Sequence, residues 1–241
     1  MDLMRSAGAV IVRPIGRGSL EECIFRLDLL HRLERSGVPV VNSPSAIEKA
    51  IDKYYSLALL EEGGVPVPRT VVTENPDEAA KAVSELGDVV VKPVFGSRGM
   101  GSTRVSDPEI ASHIFRSLVY HRHVVYLQEF VPHNNRDIRA FVIGDRVAAA
   151  MYRVANNWKT NIAKGARPLP LKLEDGLEAL AVKASKTLGC EVAGVDILES
   201  ARGPLVIEVN SQPSFAGLQT VTKVDVAQEI VDHILMLAKK P

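Results

Sequence analysis

The sequence predicts an α+β protein in which two α+β lobes follow a short α/β segment. Strand and helix patterns alternate along all 241 residues without strict βαβ order, which argues against one doubly wound sheet. A glycine-rich loop, FGSRGMGS (95–102), lies between two strand patterns. Late in the chain the apolar strands VAGVDIL (192–198) and GPLVIEVN (203–210) carry acidic residues within their alternation.

The elements follow in order. AVIV (9–12) reads as a buried strand, and Leu20, Ile24, Leu27, Leu30 and Leu33 recur at helical spacing until Gly37. VPVV (38–41) begins a second strand, so residues 1–44 form one βαβ unit. A lone unit leaves apolar surface and a sheet edge uncovered, so either the rest of the chain covers it or it is the tail of a larger domain. Asn42 or Ser43 caps the next helix, Pro44 opens it, and one helix runs to about Glu62 before Gly63-Gly64. A strand near 67–72, a helix near 76–86 and the strand DVVVKPV (88–94) come next. Beyond the glycine loop a short strand, a helix near 107–119 and HVVYLQEFV (123–131) complete a first lobe over 45–130. The second lobe, 131–241, opens with strands 138–143 and 146–153 joined by Gly144-Asp145, a hairpin signal. A helix near 175–188, strands near 192–198 and 204–210, and a helix near 225–238 end it. GGVPVPRT and EFVPHNN read as hinges.

Composition excludes several classes of function. Formal net charge is zero and no basic stripe stands out, which argues against nucleic-acid binding. No apolar run approaches the ~20 residues of a membrane helix. Cys23 and Cys190 are far apart and flanked by apolar residues, as reduced thiols of a cytoplasmic protein would be.

The acidic strands carry the chemistry. Alternation places Asp196 with Val192 and Gly194 on one face, opposite Ala193, Val195 and Ile197. It places Glu208 and Asn210 on one face, opposite Leu205, Ile207 and Val209. The short turn SARG makes the strands an antiparallel pair, so three oxygen-bearing side chains share a face. Two close carboxylates need compensation. An Mg²⁺ ion supplies it, with arginines or solvent as the alternative. Zinc is excluded by the lack of a Cys/His cluster.

Lys92 sits in the apolar run VVVKPV, and Gly96, Gly99 and Gly101, with Ser97 and Ser102, form a loop whose amides can wrap phosphate. The pattern is neither a Walker motif nor a dinucleotide fingerprint, and a plain hinge is the other reading. Lys53, Arg139, Arg153, Lys159 and Lys164 are further cationic candidates, and Asp137 shares a strand face with Arg139. His121, His123 and His133 read as surface or hinge residues.

These segments, with DKYYSLALLEEGGVPVPRT, RDIRAFVIGDRVAAAMYR and NWKTNIAKGA, together resemble an ATP-grasp enzyme. Within that superfamily they resemble the carboxylate–amine ligases related to the ribosomal-protein glutamate ligase RimK. The ordered match covers roughly residues 45–237. It implies the ATP-grasp fold, ATP with Mg²⁺ (Mn²⁺ as an alternative), and ligation through an acyl phosphate.

By the same resemblance Lys53 and Lys92 hold nucleotide phosphates under a mobile loop containing Ser97, Gly99 and Gly101. Glu129, Phe130 and Val131 meet adenine, and Asp137 contacts the nucleotide. Arg139 and Arg153 steady the acyl phosphate or a substrate carboxylate, with Lys92 beside the transferring phosphate. Lys159, Thr160 and Asn161 stand where the family has Arg-Ser-Asn, and a lysine lacks arginine's fork. Asp196, Glu208 and Asn210 match the metal triad. The implied partners are ATP, an amino acid (glutamate) and a carboxylate acceptor, either a coenzyme or a protein terminus. Acceptor choice is expected in the N-terminal region and in loops such as 211–224. A nucleotide-binding regulatory protein without ligase activity is the alternative. An exposed N-terminal face would favour a homo-oligomer.

Overall fold

The computed structural model describes residues 7–16, 18–96 and 99–238. At its start Val10–Ile11 (β1) and Val40–Val41 (β2) pair in parallel across the helix Leu20–Arg35 (α1). Ser19 and Glu22 close a reciprocal capping box at the start of α1. Leu27 packs with Val12, Val40 and Ile47, whereas Leu20 and Phe25 are 71% and 60% exposed. Among the described residues, β1 and β2 pair only with each other.

Ser43, not Asn42, caps Pro44–Ile51 (α2), accepting the Ala46 amide at 3.1 Å. Asn42 is a buried staple. Its Nδ2 donates to Val192 O (2.6 Å) and Ser211 O (2.5 Å), and its Oδ1 accepts the Glu191 and Val192 amides (2.8 and 2.9 Å). The single helix predicted to Glu62 is two helices. Asp52 breaks it and caps Lys53–Glu62 (α3) by accepting the Tyr54 and Tyr55 amides. That break makes Lys53 the first residue of a helix.

The strands Thr70–Thr73 (β3), Val89–Lys92 (β4), Thr103–Val105 (β5) and Val125–Glu129 (β6) form an antiparallel sheet in the order β3-β6-β4-β5. Pro76–Leu86 (α4) and Pro108–Tyr120 (α5) each begin with a first-turn proline after an Asn75 or Asp107 cap. They cover one face, where Val89, Val91, Leu127 and Phe115 are buried together. Alternation turns Val90, Lys92 and Gln128 to the other face.

The second sheet has the order β11-β10-β7-β8-β9 and is antiparallel throughout. Its strands are Arg136–Ile143 (β7), Arg146–Val154 (β8), Arg167–Leu171 (β9), Val192–Ser200 (β10) and Gly203–Asn210 (β11). Strand β9, RPLPL, was not predicted, because two prolines in five residues hide a strand; it pairs only with β8, at the edge where proline is tolerated. Helices α2, α3 and Asp175–Leu188 (α6) pack on one face, through Ala46, Leu60, Ala184, Ile138 and Val195. Ala216–Gln219 (α7) and Val226–Ala238 (α8) cover part of the other, near Phe141 and Met151. No helix among the described residues is long and apolar enough to cross a membrane.

Strands β10 and β11 pair Asp196 with Glu208 and then Ile197 with Val206, so Ile207 is an extra residue in a bulge. The strict alternation predicted for β11 fails there. Val206 joins Ile197 in the core, while Leu205 and Ile207 turn toward Leu198 and Val131. On the Asn210 side of the bulge, Glu208 and Asn210 keep the predicted face.

Candidate active site

The open face of the first sheet and the Asp196 face of the second line one cleft. Three lysines line it. Lys92 is part-buried and donates to Gln128 Oε1 at 2.6 Å. Burial pushes its ammonium down to about 8, against the pull of Glu208. Lys53 Nζ donates to Gly96 O (2.6 Å) and lies 3.8 Å from Glu208. Lys159 Nζ donates to Ser102 O (2.7 Å). Two lysines thus hold the two ends of the glycine loop, while Gly99 passes so close to Asn161 Oδ1 that a Cβ would collide with it. Ser97 lies outside the described residues, and Gly101 is placed in the loop, next to Pro93.

Aromatic rings line the cleft as well, and Lys159 Nζ lies 5.0 Å from the centre of the Trp158 ring. The Phe130 ring meets Trp158 edge-on at 6.3 Å and His133 at 5.8 Å. Arg104 lies 3.6 Å over the Phe130 ring, held by hydrogen bonds to Asp88. His133 is 9% exposed and lines the cleft, which corrects the surface half of its surface-or-hinge reading. Its Nδ1 has no hydrogen-bond partner, and burial holds the imidazole below its ordinary pKa.

The hinge between the sheets is largely satisfied internally. The amides of Glu129 and Phe130 donate to Arg69 O (2.9 Å) and Asp88 O (2.8 Å). The Glu129 carboxylate accepts from the Arg69 amide, Arg69 Nε and Arg202. Burial would raise that carboxyl, but these donors hold it below the usual range. Val131 follows Glu129 and Phe130, buried and lining the cleft.

Across the cleft, Arg153 binds Asp137 through Nε (2.7 Å) and reaches Asp196 Oδ2 (2.9 Å). Thr160 Oγ1 also donates to Asp137 (2.6 Å). Arg139 grips both Asp196 oxygens, Nη2 at 2.9 Å from Oδ2. Burial alone would raise Asp196, but the two guanidinium groups hold it below the ordinary carboxylate value. Burial would lower Arg153, and Asp196 and Asp137 raise it instead. Asp196 therefore meets arginines, the alternative weighed from sequence, while Glu208 is about a third exposed and turned to the lysines.

The donor set fits a hard divalent cation. Asp196 and Glu208 are cross-strand partners. Asn210 Nδ2 donates to Gly194 O at 3.1 Å, which leaves its Oδ1 as an acceptor. Two carboxylates and an amide oxygen suit Mg²⁺, whose shell is completed by water and phosphate. Among the described residues no three His, Cys, Asp or Glu side chains converge, so the acid pair would need the Asn210 amide, water and phosphate to complete a metal site.

Thirteen predicted residues line the cleft: Lys53, Lys92, Gly99, Glu129, Phe130, Val131, Asp137, Arg153, Lys159, Thr160, Asn161, Asp196 and Glu208. Arg139 and Asn210 do not line it; Arg139 reaches the wall through Asp196, and Asn210 is bonded to Gly194 on the neighbouring strand. Sequence reasoning missed Gln128, Trp158, His133, Leu198 and Ile207. Alternation from Leu127 would have found Gln128, and Trp158 precedes the predicted Lys159. The bulge hid Ile207.

Residues 50–234 match the RimK-like ATP-grasp domain. The chain is 40% identical over 237 residues to the tetrahydromethanopterin:alpha-L-glutamate ligase of Methanococcus maripaludis, covering 95% of this chain and 79% of that protein. Identity to the Methanosarcina acetivorans protein of the same name is 35% over 262 residues, with 96% and 81% covered. Among solved structures, the ATP-grasp ligase PsnB complexed with a phosphomimetic variant of its minimal precursor, Mg and ADP superposes with TM-score 0.74 at 27% identity, covering 96% of this chain and 78% of that one. Fold, cleft and sequence agree, and the chain belongs to the RimK-like ATP-grasp family, close to the alpha-L-glutamate ligases.

Proposed function

We propose that this protein uses ATP to activate a carboxylate of a pterin coenzyme and joins L-glutamate to it as an amide. One observation carries the reading: a single cleft is lined by three lysines, an acid pair and aromatic rings. That lining suits a nucleoside triphosphate, with Phe130 and Trp158 for its base and Lys53, Lys92 and Lys159 for its phosphates. The relatives named for tetrahydromethanopterin favour the coenzyme as acceptor. The PsnB complexes, which hold a peptide precursor, support a peptide acceptor as the second reading.

The residues divide the work. Lys92, half neutralised by burial near pH 8, gains a phosphate as counter-ion and recovers its charge. Lys53 and Lys159 exchange loop carbonyls for phosphate oxygens, which couples nucleotide binding to loop movement. Asp196, Glu208 and Asn210 would hold Mg²⁺, which when bound offsets charge on the phosphates. Arg153 locks Asp137 and Asp196 in one arrangement, and Arg139, paired with Asp196, would lend positive charge near a developing acyl phosphate. A covered cleft protects that anhydride from water until the amine of glutamate attacks its carbonyl carbon and phosphate leaves.

The test is mass spectrometry of the protein with ATP, Mg²⁺, L-glutamate and tetrahydromethanopterin. A product heavier by one glutamyl residue, with matching ADP, is expected. ATP binding without product on this coenzyme or on peptide acceptors would reject the reading.

A further inference from the structure

Beyond Asn210 the chain enters a loop, 211–215, that the N-terminal segment holds in place. Asn42 Nδ2 donates to Ser211 O (2.5 Å), the Ile15 amide to Gln212 Oε1 (3.1 Å) and Arg13 Nη1 to Pro213 O (3.3 Å). The Arg13 guanidinium also lies 5.5 Å from the centre of the Phe215 ring. Arg13 is exposed, and among the described residues it has no carboxylate partner. Arg139 and Arg153, by contrast, are both committed to Asp196. Gln212 keeps a buried Nε2 with no hydrogen-bond partner. An unsatisfied buried donor costs about 1–3 kcal/mol unless something accepts from it.

Pro213 is the common neighbour of the two arginines at this end. Its Cβ and Arg139 Nη1 each lie 2.9 Å from the place a Cβ would occupy on Gly194. Pro213 thus links an arginine without a carboxylate partner to the neighbourhood of the arginine that grips Asp196, and neither Arg13 nor the loop lines the nucleotide cleft.

We propose that Arg13 and the 211–215 loop form a subsite for a substrate carboxylate that is not itself activated, with the Gln212 amide as a second donor. The proposal rests on the ligase reading and names where one of its organic substrates is held. Glutamate and an acidic acceptor both bring carboxylates that survive the reaction, and each needs a cation not already neutralised. A guanidinium presents a planar fork that matches a carboxylate with two parallel hydrogen bonds. The single carbonyl contact leaves most of that fork open. Arg13 lies outside the stretch, 50–234, that matches the family.

The full chain and its Arg13→Ala and Arg13→Lys variants are assayed with ATP, Mg²⁺, L-glutamate and tetrahydromethanopterin. Arg13→Ala is expected to raise the KM of one organic substrate about 10–100-fold, the loss of a charged hydrogen-bonded pair. The KM for ATP and the melting temperature stay unchanged, and Arg13→Lys recovers part of the loss. A rise confined to glutamate assigns the carboxylate to the amino acid; one confined to the pterin assigns it to the acceptor. Unchanged KM values for both overturn the inference. If the wild-type chain makes no product with this pair, the ligase reading on that acceptor fails separately. The subsite is then tested by calorimetric titration of L-glutamate into both proteins with AMPPNP and Mg²⁺. Weaker heats in Arg13→Ala support it; equal heats, or none with either protein, overturn it.

Discussion

Asp196 stands directly opposite Glu208 in the β10–β11 register, yet the two carboxylates meet different cations. Asp196 is buried between Arg139 and Arg153, whereas Glu208 faces Lys53 across 3.8 Å and is partly solvated.

That difference predicts two distinct phenotypes for one lost charge. Asp196→Ala leaves two guanidinium groups without their shared partner and is expected to destabilise the fold by about 3–5 kcal/mol. Glu208→Ala removes a partly exposed partner and costs less than about 1 kcal/mol. Both variants lose the Mg²⁺-dependent rise in melting temperature with nucleotide. Thermal melts with and without Mg²⁺ and ATP check this, and equal losses of stability would contradict the assignment.

Lys92 predicts a proton uptake. Its folded value of about 8 lies below the ordinary 10.5, so between these pH values the unfolded chain binds more protons than the folded one. Its contribution to stability therefore grows from pH 8 to 10.5, by about 3 kcal/mol in all, and is lost as pH falls through 8. Phosphate beside the ammonium restores the charge. ATP binding near pH 9 is then expected to take up close to one proton, measured by calorimetry in buffers of different ionisation enthalpy. Lys92→Met abolishes the uptake.

Gly99 predicts a catalytic defect without a folding defect. Its φ is +65°, and a Cβ would strike Asn161. Gly99→Ala is expected to raise the KM for ATP and slow turnover about tenfold while shifting stability by about 1 kcal/mol or less. Steady-state kinetics with a parallel melt tests it.

Asn42 predicts the reverse. Four hydrogen bonds tie it to β10 and to Ser211. Asn42→Ala strands buried backbone groups at a cost of about 2–4 kcal/mol. Denaturant unfolding reads the loss, and KM for ATP is expected to hold in the folded fraction.

Much of this was legible before any coordinates. Period-two alternation placed Asp196, Glu208 and Asn210 together because sheet geometry enforces it. The apolar run around Lys92 exposed a lysine that must be buried. What sequence hid has physical causes. A bulge adds one residue and reverses faces, so Ile207 reached the cleft unannounced. Asp52 falls within a stretch predicted as one helix, and only its carboxylate capping α3 shows where that helix breaks. Asn42 and the 211–215 loop act across more than 100 positions, a distance that no local pattern encodes.

The most direct test of the ligase mechanism is isotope transfer. Tetrahydromethanopterin labelled with ¹⁸O in its carboxylates is incubated with ATP, Mg²⁺, L-glutamate and the protein, and the inorganic phosphate is analysed by mass spectrometry. Activation through an acyl phosphate predicts one ¹⁸O in each phosphate released. Amide product accompanied by unlabelled phosphate would contradict it.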